Sequence, residues 1–360
     1  MKGVFVSDCE GPISKNDNAF ELTAHFVPSG DKLFSIISKY DDILVDIVKK
    51  IGYNAGDTLK LLLPFLKAYD VADEQMKQFS AQNLLLISGS KEMLKHVTGI
   101  TSAFIVSTSY EHYIRALCDI VGFPFENTYC TRLSIDKYDM PAQERTKLRR
   151  IAEEIASIPM ISIPHSAVSV KDFSAKDQES IRRLDEIFWE EIPEVNCGKM
   201  FSDVVTIGGE QKAEAIRHII KKFTSNLSDS MYVGDSITDI EAFQLVRKSG
   251  GLTISFNGNG YAVKNTEIAV LSENNLVTAI LAEVFLRHGK ARVLQLVENW
   301  SIETLKSSLI DQQLLNRFLL LYPKALPKVQ IVTSENMELL SKESSDYRKK
   351  VRGEAVGKLG

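Results

Sequence analysis

Two acidic residues, Asp8 and Glu10, close the short apolar run Gly3-Val4-Phe5-Val6-Ser7 and are followed at once by Gly11-Pro12. Residues spaced i, i+2 on an extended chain share a face, and close carboxylates repel unless a metal ion or a shared proton relieves them. Such a pair supplies a nucleophile, a general acid or a cation ligand. It also fits a plain acidic turn after a strand. A second acidic pair, Asp235 and Asp239, follows Ser230-Met231-Tyr232-Val233-Gly234. If a helical turn begins at Ser236, both aspartates lie on one side of it. The plainer alternative is a capping aspartate with a surface aspartate behind it. Between the pairs stand Ser107-Thr108-Ser109, after apolar Ala103–Val106, and Lys212, after Val204–Ile207 and Gly208-Gly209. Hydroxyls and open amides at a helix start suit an anion, although capping alone explains them as well. A lysine in a helix's first turn opposes the dipole unless an anion is near. An ordinary surface lysine is its plain alternative.

Each group follows a short apolar run, which places four signals at strand ends. Open α/β sheets gather their ligands in the crevice at the carboxyl ends of the strands. The fold class read from this order is α/β with a parallel sheet. Residues 13–98 are too long for one βα connection, and Leu33, Ile36, Ile37, Tyr40, Leu44 and Ile47 recur at helical spacing. That stretch reads as a helical cap inserted after the first strand. Residues 127–200 read as a second insertion or small subdomain, with helices near Ala142–Ala156 and Ala175–Glu190. A short strand at Ile268–Leu271 closes the sheet. From about Asn275 the chain is helical, and its last segment, Lys342–Gly360, reads as a solvated helix or frayed tail. The Gly258-Asn259-Gly260 turn is not a dinucleotide fingerprint, because it does not follow the first strand of a βαβ unit.

Composition narrows the function. At 360 residues, 44% hydrophobic and 25% charged, the chain has an ordinary globular balance and room for two domains. A net charge of −4 gives no general field for nucleic acid or an anionic membrane. No apolar run is long enough to span a membrane, and Asp8 and Glu10 interrupt any leader-like start. Cys9, Cys118, Cys130 and Cys197 are widely spaced, which argues against a disulfide framework or structural zinc and for reduced thiols. A cytoplasmic location is the matching expectation.

Taken together, a carboxylate nucleophile, a hydroxyl, a cation and further carboxylates are the parts of phosphoryl transfer through an aspartyl-phosphate. Here the sequence resembles the haloacid dehalogenase superfamily, most closely its phosphoserine-phosphatase-like branch. The resemblance covers residues 3–12, 103–121, 205–223 and 230–272; Val233–Asp239 and Asp8-Cys9-Glu10-Gly11 are its most specific pieces. More loosely, the whole chain is similar to archaeal proteins labelled energy-converting hydrogenase A subunit R, a label that specifies no chemistry.

The resemblance implies a Rossmann-like three-layer core formed by residues 1–12, 99–126 and 201–282, with a cap at 13–98 and a helical C-terminal extension at 283–360. It implies a phosphatase acting on a small phosphorylated metabolite, with Asp8 as nucleophile and Glu10 as acid and base. Ser107, Thr108 and Lys212 would hold the phosphoryl oxygens. Mg²⁺ would be held by Asp8, the Glu10 carbonyl and Asp235, with Asp239 acting through water or by orienting Lys212. Three residues depart from the family pattern. Glu10 stands where aspartate is usual, Pro12 where threonine or valine is usual, and Thr238 where phosphoserine phosphatases have asparagine. Two other functions stay open: a regulatory or assembly subunit that keeps the fold, docking a larger complex or a second copy through the C-terminal helices, and a phosphotransferase with an acceptor other than water.

Overall fold

The computed structural model describes residues 3–357, so residues 1–2 of the expected core and 358–360 of the expected tail lie outside it. Seven strands form one sheet: β1 (Val4–Ser7), β2 (Ser102–Tyr110), β3 (Thr128–Thr131), β4 (Ser230–Gly234), β5 (Leu252–Phe256), β6 (Ile268–Leu271) and β7 (Lys328–Ile331). Their order is β3-β2-β1-β4-β5-β6-β7, and all run parallel except β7, which lies antiparallel on β6. The strand order therefore reverses direction at β1, where the neighbours are β2 on one side and β4 on the other. A ligand crevice belongs at that reversal.

β1 is buried along its whole length, as its unbroken apolar run requires of a central parallel strand. Its side chains alternate between two cores. Phe5 packs with Leu94, Ile114 and Ile280 on one face, while Val4 and Val6 pack with Ile216, Ile219 and Phe243 on the other. This is a three-layer α/β core. The final strand differs from expectation, since β7 comes from the C-terminal block and pairs Val270 with Val329. The helices from Leu276 to Leu321 also pack into the sheet's own core through Ile280, Val293, Leu315 and Phe318. Of the apolar run Phe318–Leu321, Phe318 is buried while Leu320 and Leu321 are exposed.

Helices Asn18–Phe26, Gly30–Asp42, Thr58–Ala68 and Asp73–Asn83 lie between β1 and β2 and share one apolar core. The fifth helix there, Ser90–Ile100, instead packs under the sheet through Met93, Leu94 and Val97. Residues of the 127–200 stretch join the first group's core rather than forming a satellite of their own. Phe188 is buried there, with Tyr40 stacked at 5.7 Å and Phe65 edge-on at 6.2 Å. Aromatic contacts of this kind add to the area they bury. The two helices expected in that stretch form as Ala142–Ser157 and Ala175–Glu186.

Two local readings are corrected. Ser107-Thr108-Ser109, expected to part a strand from a helix, lies inside β2, which continues to Tyr110. Val204–Gly208 is a loop and not a strand, so Lys212 enters from a helix start with no strand before it.

Candidate active site

The β1–β4 pairing sets Ser7 beside Val233, and the Asp8 amide donates to the Val233 carbonyl at 2.8 Å. Asp8 and Asp235 are thereby brought to neighbouring strand tips from sequence positions more than 200 apart. Helix Glu210–Lys222 crosses this end of the sheet and aims Lys212 inward. Lys212 is 0% exposed, and its Nζ donates to Asp8 Oδ2 at 2.5 Å and to Asp239 Oδ1 at 2.7 Å. A buried ammonium is tolerated only when paired. Burial opposes its charge, but Asp239 and Asp8 outweigh that and raise its pKa.

Asp239 is held from four sides. Its Oδ1 accepts from Lys212 and from the Tyr232 hydroxyl at 2.5 Å, and its Oδ2 accepts from the Asp235 and Ser236 amides at 2.8 and 2.9 Å. Gly234 leaves it the space, since a Cβ there would stand 2.5 Å from its carboxyl carbon. Four donors, the Lys212 ammonium among them, thus meet this one carboxylate.

Asp8 Oδ1 accepts from the Cys9 amide at 2.6 Å, and burial pushes this carboxyl up against the pull of Lys212. Glu10 turns the other way, toward the cap. Its Oε1 accepts from the Asn18 amide at 2.6 Å, at the start of helix Asn18–Phe26. Burial, then the nearby charge of Asp17, holds Glu10 well above the usual carboxylate range. Asp17 itself caps that helix, accepting from the Phe20 amide at 3.0 Å. Between Glu10 and Pro12, Gly11 adopts φ +98°, and a Cβ there would overlap the Asp235 carboxylate. Only glycine meets both demands.

Ser107 is buried with its Oγ 3.1 Å from Ser109 Oγ. Thr108 Oγ1 donates to the Ile207 carbonyl at 3.0 Å, so its hydroxyl proton ties down the loop before Lys212. Asp8, Glu10, Asp17, Ser107, Thr108 and Asp235 all line a cavity of about 100 Å³. Beyond it lies a cleft of about 720 Å³, and Ser38 and Asp42 of the second cap helix belong to the walls of both.

Two residues missed in the sequence complete the site. Helix Met337–Arg352 brings Arg348 and Arg352 into the cavity, where both guanidinium groups reach Asp235 Oδ2, Arg352 at 3.1 Å. Lys342–Arg352 is thus neither a solvated helix nor a frayed tail. The legible signal is their i, i+4 spacing, which puts both on one helix face. Nothing local says that the face is buried.

One oxygen each from Asp8, Asp235 and Asp239 lies within 4.8 Å of the others, which among the described residues is the one such cluster. The donors are hard carboxylate oxygens, and a guanidinium already stands against Asp235. Donor chemistry and the stand-in cation both fit a hard divalent ion such as Mg²⁺.

The model of the haloacid dehalogenase-like hydrolases matches residues 89–283, over half of the chain. This chain belongs to that family. The matched stretch holds Ser107, Lys212, Asp235 and Asp239, and β1 adds Asp8 and Glu10 by pairing between β2 and β4. Among solved structures, the chain is similar to gene product AF1437 from Archaeoglobus fulgidus. Identity is 26% and the TM-score 0.80, over 100% of this chain and 99% of that one. A phosphoserine phosphatase, solved as a phospho-aspartyl intermediate analogue, matches at 15% identity and TM-score 0.47, over 79% of this chain and 97% of that one. No curated protein matches the sequence. Among the described residues, no helix is long and apolar enough to cross a membrane.

Proposed function

We propose that this hydrolase is a Mg²⁺-dependent phosphatase that cleaves a small phosphorylated metabolite through an aspartyl-phosphate on Asp8. The observation that carries this reading is the buried Asp8–Lys212–Asp239 chain ending beside Glu10 at the sheet's reversal point. Lys212 favours the ionised Asp8 carboxylate and stands ready to meet a phosphoryl oxygen, while Asp239 keeps the ammonium aimed. Ser107, within β2 on the side of β1 away from β4, offers a hydroxyl to the same cavity. The divalent ion would be held by Asp8, Asp235 and the Glu10 carbonyl, and when bound it supplies positive charge against the phosphoryl oxygens.

In the first half-reaction an Asp8 oxygen bonds to phosphorus as the bond from phosphorus to the ester oxygen breaks. The departing alkoxide takes the Glu10 proton. Burial and Asp17 favour the protonated form of Glu10 that this step needs. In the second, Glu10 takes a proton from water as the water oxygen attacks phosphorus and the bond to Asp8 breaks. Phosphate leaves, and both carboxyl groups return to their starting states. A cavity of about 100 Å³ suits a phosphoryl group with little attached, which supports a small substrate.

A second reading, a regulatory subunit that keeps the fold, draws on one observation: Arg348 occupies the carboxylate that the ion needs. A panel of phosphorylated metabolites, assayed with and without Mg²⁺ on wild type and Asp8→Asn, separates the two. Mg²⁺-dependent turnover lost in Asp8→Asn supports the phosphatase. No turnover of any compound by the wild type supports the subunit.

A further inference from the structure

The charge on Asp235 is met from within the chain. Both Arg348 and Arg352 reach its Oδ2, and Arg348 also reaches the Asp235 backbone carbonyl at 3.3 Å. Arg348 is 3% exposed, so this is an interior ion pair and not a surface contact. The helix bearing these arginines is anchored around the site. Arg352 Nε donates to the Lys15 carbonyl at 3.0 Å and its Nη2 to the Asn16 carbonyl, both on the exit from β1 toward the cap. Ser344 Oγ donates to the Gly258 carbonyl at 2.6 Å, beyond β5. Val356, just past the helix, is buried, and Ala355 reaches the rim of the larger cleft.

One carboxylate oxygen has limited acceptor capacity, and a guanidinium and a divalent ion repel one another at contact distance. Resting on the metal reading above, we propose that the C-terminal helix is an internal competitor of the divalent ion. Arg348, backed by Arg352, holds Asp235 in the metal-free enzyme, and ion binding drives both arginines off that oxygen and loosens the helix. Coupling of this kind is reciprocal: whatever factor the seated helix costs the ion in affinity, the ion costs the helix in occupancy. The helix spans the β1 exit and the rim of the cleft, so its release also changes the walls of the substrate path. An enzyme built this way stays closed when the ion is scarce.

The test uses the full chain and Mn²⁺ alone as probe, with calorimetric titration of wild type, Arg348→Gln and Asp235→Asn. Arg348→Gln is expected to bind Mn²⁺ about tenfold more tightly than wild type, within the usual range of coupling between sites. Asp235→Asn is expected to lose the binding. In the wild type, amide exchange over residues 337–357 is expected to quicken when Mn²⁺ is added, a readout that needs no substitution. Equal or weaker binding by Arg348→Gln overturns the competition and leaves the metal site standing. Unchanged or slower exchange on Mn²⁺ binding to the wild type overturns it too, whether or not Arg348→Gln folds. If neither wild type nor Arg348→Gln binds Mn²⁺, the competition and the metal-dependent reading fall together.

Discussion

Lys212 and Asp8 form a buried ion pair, 2.5 Å between Nζ and Oδ2, with Asp239 closing the same ammonium at 2.7 Å. Lys212 thereby bridges the end of β1 and the turn that follows β4. Its removal leaves two carboxylates buried without their cation. Breaking a buried pair by deleting one partner costs roughly 3–5 kcal/mol. Lys212→Met is therefore expected to lose stability by about that amount in a denaturant titration. Adding Asp239→Asn to Lys212→Met is expected to recover part of the loss, since one buried charge goes with it. A single substitution that costs less than about 1 kcal/mol contradicts the arrangement.

Glu10 is expected to matter according to the leaving group. General acid catalysis is worth about 10²–10⁴-fold, and it is needed most where the departing oxygen is strongly basic. Glu10→Gln should lower kcat by that order on alkyl phosphates and far less on an aryl phosphate with a good leaving group. Equal losses on both substrate types would remove Glu10 from the acid role.

Gly11 is expected to tolerate no side chain. Alanine at φ +98° is strained, and its Cβ would overlap the Asp235 carboxylate. Strain of this kind costs on the order of 1–3 kcal/mol. Because Asp235 must move, Gly11→Ala should also abolish Mn²⁺ binding in a titration, even under conditions where the variant remains folded. Binding at the wild-type affinity would show that Asp235 is not a ligand.

Asp41, a cap residue on the wall of the same cavity, gives a pH signature of its own. It is buried in the cap, accepts from the Tyr53 hydroxyl at 2.6 Å and from the Gly56 and Thr58 amides, and burial raises its pKa from 3.8 to about 7. The folded state thus keeps a proton that the unfolded chain releases. Its contribution is fully present below pH 3.8 and is lost as pH rises from there through about 7. Asp41→Asn should flatten the fall of melting temperature across that window relative to wild type. An identical pH slope in the two proteins would show that Asp41 ionises normally.

Phe188 reports on the union of the two insertions. It comes from the 127–200 stretch but packs on Tyr40 and Phe65 of the cap helices. Phe188→Ala is expected to cost about 3–5 kcal/mol, as large-to-small changes in a well-packed core do. Calorimetry should show one unfolding transition moving down for the whole cap. Separate melting of the 127–200 stretch would contradict the shared core.

Much of the site was legible because its signals are local. Asp8 with Glu10, and Asp235 with Asp239, sit at i, i+2 and i, i+4 at the ends of apolar runs, and short-range geometry alone orders such pairs. The unbroken apolar run Val4-Phe5-Val6 likewise marked β1 as a buried strand. Lys212 was legible as an oddity, a cation where the helix dipole disfavours one. The hydroxyls at 107–109 misled at first order because serine and threonine serve strand ends and helix caps equally well.

Tertiary structure decided the division of labour among the carboxylates and the role of the chain's end. Asp239 meets Lys212 while the Tyr232 hydroxyl and two backbone amides occupy its other acceptor sites, and Glu10 faces the cap, where burial and then Asp17 raise its pKa against the pull of the Asn18 amide. Arg348 and Arg352 lie in a segment whose charge pattern is that of a solvated helix. Their burial against Asp235 depends on a contact more than 100 residues long in sequence, set by β7 and the C-terminal helices packing onto the sheet. Sequence spacing determines which side chains share a face. Only packing determines what that face meets, and in this chain it meets the carboxylate of Asp235.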